Sequence, residues 1–384
     1  MAFDCSRAIA QEALGEAIEV DRGRRARKEA IDRNLYNLKA GPVLMRFDAL
    51  MGFELNDNPQ LVEEPEEVDF AFHPELRVAS VWPLNQRNAL SLNLGIGYRK
   101  YLHNTDLDQL IIAPNSEIAF DIRAGDVTIN FHERVGYTQN PVSDPTVSGT
   151  GDFGGIENTV GLRADWDLNQ VVLTAGYDHV NFFSSGSAAS DVQERSQEMF
   201  YTRGTIRLGP SVRTGVELGA GLTDYELDVF ADNTELSAGP FVEVDITKEL
   251  LVRASGGYIR YDFDEPGFDP TVTNVVPRVP ETVDDFYANV TLNHQLSRFM
   301  SHNLSMGREA RAGAESELVT LWYVRYGNDW NISQHATLIT SLLYENGRER
   351  AGIAAERFWR VGAGAGVSIP LTRQLKTGIA YQLL

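Results

Sequence analysis

From Gly41 onward, apolar and polar residues take turns along stretches longer than an ordinary strand, and this alternation limits the possible folds more than any other feature of the chain. Val43, Met45, Phe47, Ala49, Met51, Phe53 and Leu55 are apolar at every second position. Leu90, Leu92, Leu94, Ile96 and Tyr98 repeat the pattern against Ser91, Asn93, Gly95, Gly97 and Arg99. It returns at Val212, Thr214, Val216, Leu218, Ala220 and Leu222, and again at Trp359, Val361, Ala363, Ala365, Val367 and Ile369. A period of two belongs to a pleated strand whose two faces meet unlike media. About seventeen such runs of about 11 to 15 residues cover roughly 60% of the chain, whereas globular proteins hold about 20 to 25% strand in pieces of about 5 to 6 residues. Runs of that length cross a bilayer when tilted. The expected fold is all-β: a transmembrane antiparallel up-and-down β-barrel of about 16 to 18 strands spanning residues 41–384, preceded by a periplasmic segment at 1–40.

The connections point the same way. Short ones fall at Leu84–Arg87, Gly125–Asp126, Leu168–Gln170, Gly209–Ser211, Thr247–Glu249, Ser297–Arg298, Ser333–Gln334 and Leu371–Arg373. Between them lie mostly longer ones, near Asp57–Val68, His103–Asn115, Asn140–Gly155, Ser185–Glu194, Glu226–Thr234, Asp264–Asp284, Ala312–Glu315 and Gly347–Ala354. Outer-membrane barrels alternate short periplasmic turns with long outer loops in this order. Trp82, Trp166 and Trp330 each precede a short turn, where an indole sits at headgroup level; Tyr98, Tyr137 and Tyr177 lie toward the long loops and form the opposite girdle. Trp322 and Trp359 do not fit the tryptophan ring. Glu133 falls in register with Val127, Ile129, Phe131 and Val135 on the lipid side, which a bulge, a protomer interface or a register error would explain.

If the apolar faces meet lipid, the opposite faces line a lumen, and they are charged. Arg99, Arg123, Arg134, Arg163, Arg203, Arg207, Arg213, Arg253 and Arg360 are set among Glu117, Asp121, Asp165, Glu217, Glu243 and Asp245. Ions of this density must pair or stay hydrated, so a watery or plugged lumen is expected. Barrels of about 16 to 18 strands are wide enough for an aqueous channel. The function that follows is a pore for hydrophilic solutes whose lumen charges select among them. A charge lattice that only stiffens the wall is the alternative.

Composition excludes other classes. Against 54 acidic residues stand 34 Lys and Arg, a formal charge of −20, which disfavours nucleic acid and docking on anionic lipid. The single cysteine, Cys5, excludes internal disulfides and cysteine-based zinc sites. No run approaches the ~18 apolar residues of a spanning helix. None of the seven histidines sits in a His-Glu-x-x-His or Gly-x-Ser-x-Gly setting, and Ser301-His302 near His294 is the one catalytic candidate, at the wrong leaflet for lipid hydrolysis. The chain is read as no enzyme. The loops are acidic: Asp262, Asp264, Glu265 and Asp269 could hold Ca²⁺ or bridge to lipopolysaccharide, although a solvated acidic loop is the simpler reading and no other cofactor is expected.

The ends carry further expectations. Ala8, Ile9, Ala10 and Gln11 read as a secretory cleavage site without its apolar h-region, as in a truncated signal peptide; a disordered terminus is the alternative. Arg22, Arg24, Arg25, Arg27 and Lys28 form a solvated basic helix face. Seventeen strands leave the last running the same way as the first, so either a closing strand is missing after Leu384 or one run is not a barrel strand. Lys376, Gly378, Tyr381 and Leu383 do resemble the signal that ends many barrel proteins.

From Gly41 to the end the chain resembles the β-barrel porin 2 family. The matching features are Gly41-Pro42-Val43, Asn56-Asp57-Asn58, Tyr98-Arg99-Lys100-Tyr101 running into Thr105-Asp106-Leu107-Asp108, and the stretch from Tyr137 to Gly155. The resemblance implies an outer-membrane channel associated with exopolysaccharide or capsule secretion in Gram-negative-type bacteria, and it supplies no catalytic residues. The partners implied are outer-membrane lipid and lipopolysaccharide, a hydrophilic solute or polysaccharide, and the barrel-assembly machinery. The chain departs from the family in lacking a full signal sequence and an aromatic-terminated last strand.

Overall fold

The computed structural model describes residues 13–14, 36–59, 68–85, 87–138, 155–184, 194–227, 230–264, 282–311, 316–333, 335–352, 357–372 and 375–383. Cys5, the Ala8–Gln11 site, the basic run and most of the long loops, including Glu265 and Asp269, lie outside them. One antiparallel sheet accounts for nearly all the rest. It begins with β1 (Leu38–Ala40), β2 (Val43–Asn56), β3 (Asp69–Pro83), β4 (Asn88–Tyr101), β5 (Gln109–Ala124) and β6 (Val127–Thr138). There follow β7 (Gly155–Asp167), β8 (Val171–Ser184), β9 (Arg195–Arg207), β10 (Val212–Tyr225), β11 (Asn233–Asp245) and β12 (Leu250–Phe263). The last are β13 (Thr282–Ser297), β14 (Met300–Arg311), β15 (Ser316–Ser333), β16 (Ala336–Gly352), β17 (Arg357–Pro370) and β18 (Lys376–Leu383). Each strand pairs with the next in sequence, the topology of an up-and-down β-barrel. Where a short connection needs a left-handed residue it has one: Gly41 (φ 60°), Gly125 (φ 63°) and Asn169 (φ 66°).

The two faces of the wall differ as the alternation requires. Along β10, Leu218 is 49% exposed and its neighbour Glu217 only 2%. Phe200, Leu236, Tyr344 and Trp322 are likewise exposed, whereas Tyr201, Glu235, Glu345 and Tyr323 one residue away are buried. A water-soluble sandwich hides its apolar face; here the apolar face is turned out as a continuous belt and the charged face is enclosed. No helix among the described residues is long and apolar enough to cross a membrane. The chain is a transmembrane β-barrel.

Three boundaries differ from the sequence reading, one of them at β16, which runs on through Gly352 where a loop was expected from Gly347. The sheet starts at Leu38, because Leu38, Lys39 and Ala40 pair with Met45, Leu44 and Val43 across the Gly41-Pro42 turn. β5 starts at Gln109 instead of after Asn115. Pro114, which has no N–H to give a ladder, interrupts the alternation there, and the registers with β4 and β6 both shift around it. Seventeen long strands, β2 to β18, are present, so β2 and β18 run in the same direction, and β1 occupies the position beside β2 as a strand of only three residues. The seam is the least covered part of the wall, with Ile379 at 80% and Leu55 at 75% exposure.

An arginine placed on the outward face at Leu218 should cost about 2–4 kcal/mol, as charge does at the midplane of a lipid-facing wall. Urea unfolding of the refolded L218R variant in lipid measures this; a cost below about 0.5 kcal/mol contradicts lipid contact at that face.

Candidate functional site: the charged lumen

The inward face collects all fifteen residues singled out as lumen-lining, since each occupies the strand parity of its buried neighbours. Most are held in ion pairs. At the end of the barrel carrying the short turns, Arg163 Nη2 lies 2.8 Å from Asp165 Oδ1, which also accepts from Thr174 Oγ1 at 2.7 Å. Arg207 grips Asp167 with both terminal nitrogens, at 2.8 and 3.0 Å. Arg213 reaches Glu243 at 2.7 Å and Asp245 at 2.8 Å. Glu217, buried, is shared by Arg253 (2.6 Å) and Arg203 (3.6 Å), and both guanidiniums stack on Phe241, at 4.6 and 5.6 Å from the ring centre. Arg99 faces Glu54 at 3.7 Å, and Glu117 stands opposite Arg134 on the neighbouring strand.

Several members of this network escaped the sequence reading although they share its parity. Glu345 is fully buried between Arg325, at 2.6 Å, and Arg360, whose Nε donates at 2.9 Å. A chain of polar groups joins β5 to β8: Asn130 Nδ2 donates to Asp121 Oδ1 at 2.7 Å, which turns Asn130 Oδ1 toward His132 Nδ1 at 3.0 Å, and His132 Nε2 lies 2.8 Å from Asp178 Oδ1. Both ring nitrogens of His132 are thus engaged, one with Asn130 and one with Asp178. Extending the inward alternation to every strand would have found Arg325 and Glu345. The histidine link depends on which strands become neighbours.

Midway along the lumen two tyrosines join the lining. Tyr201 lies over Gly176 and Tyr287 over Gly257, each directly opposite on the next strand, where a Cβ would run into the ring. Laid flat, the rings form a floor, and Leu14 packs on Tyr201 and Tyr287 while Ala13 packs on Val180 and Met199. Leu14 is 4% exposed, in helical conformation. Two residues of the amino-terminal segment, expected in the periplasm, therefore sit inside the barrel.

Toward the short-turn end the lumen opens into a cavity of about 720 Å³ whose lining carries seven arginines and four carboxylates. Arg87, missed in sequence because it lies in a turn, and Arg123 stand at its mouth, exposed.

The girdle residues face outward. Trp82, Trp166 and Trp330 are exposed near short turns, and Tyr98 and Tyr177 are exposed on the long-loop side; Tyr137 is half-buried. Trp322 lies eight residues along β15 from Trp330, about 27 Å of strand, which puts it at the outer girdle beside Phe286 and Arg308. Trp359 also belongs to the long-loop side. Glu133 is outward and in register with Ile118 on one side and Val160 on the other, the shift between β5 and β6 falling above it, between Val135 and Tyr137. It shares its row with Val160, His179 and Glu198, and Asn158 Nδ2 donates to it at 3.4 Å, so this row marks the upper margin of the apolar belt.

The catalytic candidate does not assemble. His294 and His302 are directly opposed, 3.0 Å apart, on the outward face, and Ser301 takes the other face. The acidic-loop candidate is likewise engaged, Asp262 by Arg260 at 2.8 Å and by Thr282. Among the described residues no three His, Cys, Asp or Glu are placed to hold a metal ion. The loop after β4 is instead tied down by carboxylates: Asp69 accepts from the backbone of Asn104 at 2.8 Å, and Asp108 from the backbone of Tyr101 at 2.7 Å and from Lys100.

Removing Glu345 as Glu345→Ala strands two guanidiniums and should cost about 3–5 kcal/mol in urea unfolding, as for a broken buried pair; below about 1 kcal/mol, that part of the lumen is bulk water. Burial pushes the Asp108 carboxyl up, but its bonds to Lys100 and the Tyr101 N–H outweigh this and hold it below its ordinary 3.8. The tether is therefore fully present above that value and is lost as pH falls below it. Protection factors of residues 101–108 against hydrogen exchange, each taken relative to the intrinsic rate at the same pH, should fall as pH drops below 3.8, and Asp108→Asn should be poorly protected at every pH; protection unchanged by pH contradicts the tether.

No protein-family model and no curated protein matches the chain. Among solved structures it is similar to OmpT, an outer membrane protein of Vibrio cholerae, at 11% identity over 90% of this chain and 99% of that one, TM-score 0.44. A bacterial polysaccharide outer membrane secretin gives 12% identity over 90% and 100%, TM-score 0.42. The FrpB iron transporter from Neisseria meningitidis gives 9% over 82% and 60%, TM-score 0.47. The fold itself stands on the strand ladder and the inside-out burial described above.

Proposed function

We propose that this chain is a channel of the bacterial outer membrane that carries a hydrophilic solute, with polysaccharide as the class of cargo. The observation that supports it most is the inversion of burial: arginines and carboxylates inside, an apolar belt outside, and a polar cavity open at the short-turn end. The polymer as cargo follows from the resemblance to the β-barrel porin 2 family. On this reading the belt contacts membrane lipid and lipopolysaccharide, the barrel-assembly machinery inserts it, and no catalysis occurs; the separation of Ser301 from both histidines supports the last point.

A second reading has its own support. Ala13 and Leu14 close on the tyrosine floor, and Asp178 and Glu345 are fully buried, so a non-conducting barrel that acts through its outer loops fits the filled middle of the lumen. Planar-bilayer recording separates the two. The channel reading predicts conductance steps from the refolded chain and larger steps from Leu14→Asp, which places a carboxylate against Tyr201 and Tyr287. Silence from both proteins at every voltage removes it.

A further inference from the structure

The cavity at the short-turn end is lined by seven arginines and four carboxylates, with Glu217 and Asp245 paired to lining arginines just behind it, in a chain whose total charge is −20. Its arginines are not equivalent. Arg207 is spent on Asp167 in a bidentate fork, and the one aromatic ring of the lining, Phe241, is covered by Arg203 and Arg253. No bare ring is left there for a neutral sugar to stack on. Arg87 and Arg123 differ: both are exposed at the mouth, and neither guanidinium makes an ion pair among the described residues. A planar fork with free donors matches a carboxylate in two parallel hydrogen bonds. Low-dielectric walls around a concave cationic surface concentrate the field on an approaching anion.

We propose that this vestibule is a recognition site for carboxylate-bearing saccharide, with Arg87 and Arg123 making first contact. The assignment deepens the channel reading and rests on it for the saccharide, while the charge of the ligand follows from the cavity alone.

Calorimetric titration of the refolded full chain in detergent tests the site without requiring conduction. The probes are tri-galacturonate, maltotriose of the same length, and inorganic phosphate. Tri-galacturonate should bind, weaken with added KCl, and lose about tenfold in affinity in the R87E/R123E double variant, whose residues support no ion pair in the fold. Equal affinity for maltotriose, equal affinity for phosphate, or no loss in the double variant overturns the proposal. Reversal potentials in a KCl gradient give a second readout: anion preference in the native chain, reduced in the double variant. Conductance steps with no anion preference overturn this inference and leave the channel standing, whereas specific tri-galacturonate binding in a protein that never conducts upholds the site and removes the channel.

Discussion

Backbone N–H and C=O groups have nothing to bond to in hydrocarbon except one another, and the architecture follows from that. Strands meet the requirement only by pairing on both sides, so a sheet in a membrane must curl toward closure. Curling gives every strand one face to lipid and one to the lumen, and the period-two pattern from Gly41 onward is that division written in side chains. β2 and β18 run the same way and carry the most exposed side chains of the wall, while the three-residue β1 begins the antiparallel position beside β2.

Once the lumen is enclosed, its charges have to be settled. Water alone would suffice in a wide pore, yet Glu217, Glu345 and Asp178 are almost fully buried and held by arginine or histidine. Pairing of this kind restrains side chains that would otherwise wander across the passage. Aromatic rings are restrained differently, laid on facing glycines so that Tyr201 and Tyr287 line the wall instead of blocking it. Among the described residues, Leu14 packs against these rings and Ala13 packs beside them on Val180 and Met199. The paired middle and the cationic mouth are thus two regimes of one surface.

Much of this was legible beforehand, because strand parity is local. Arg163 and Asp165 fall two apart on one strand, and their sharing of a face needs no knowledge of neighbours. Whatever depends on who lies beside whom was not legible. The His132–Asp178 link crosses from β6 to β8, and the Glu345 trio needs three strands in register. Pro114 hid the start of β5 by breaking the pattern that marks a strand. Glu133 looked like an error because the pattern says nothing of where the belt ends; its row of His179 and Glu198 does. The packing of Ala13 and Leu14 inside the lumen had no signal at all, since a short apolar pair fits almost any site.

Which medium touches which face can be measured directly. In a background with Cys5 replaced by serine, single cysteines at positions 213 to 221 of β10 would carry a spin label in liposomes. The account predicts that collision with oxygen peaks at the even positions and collision with a water-soluble nickel chelate at the odd ones. Equal exposure to both relaxers along the strand, or the opposite phase, would contradict it.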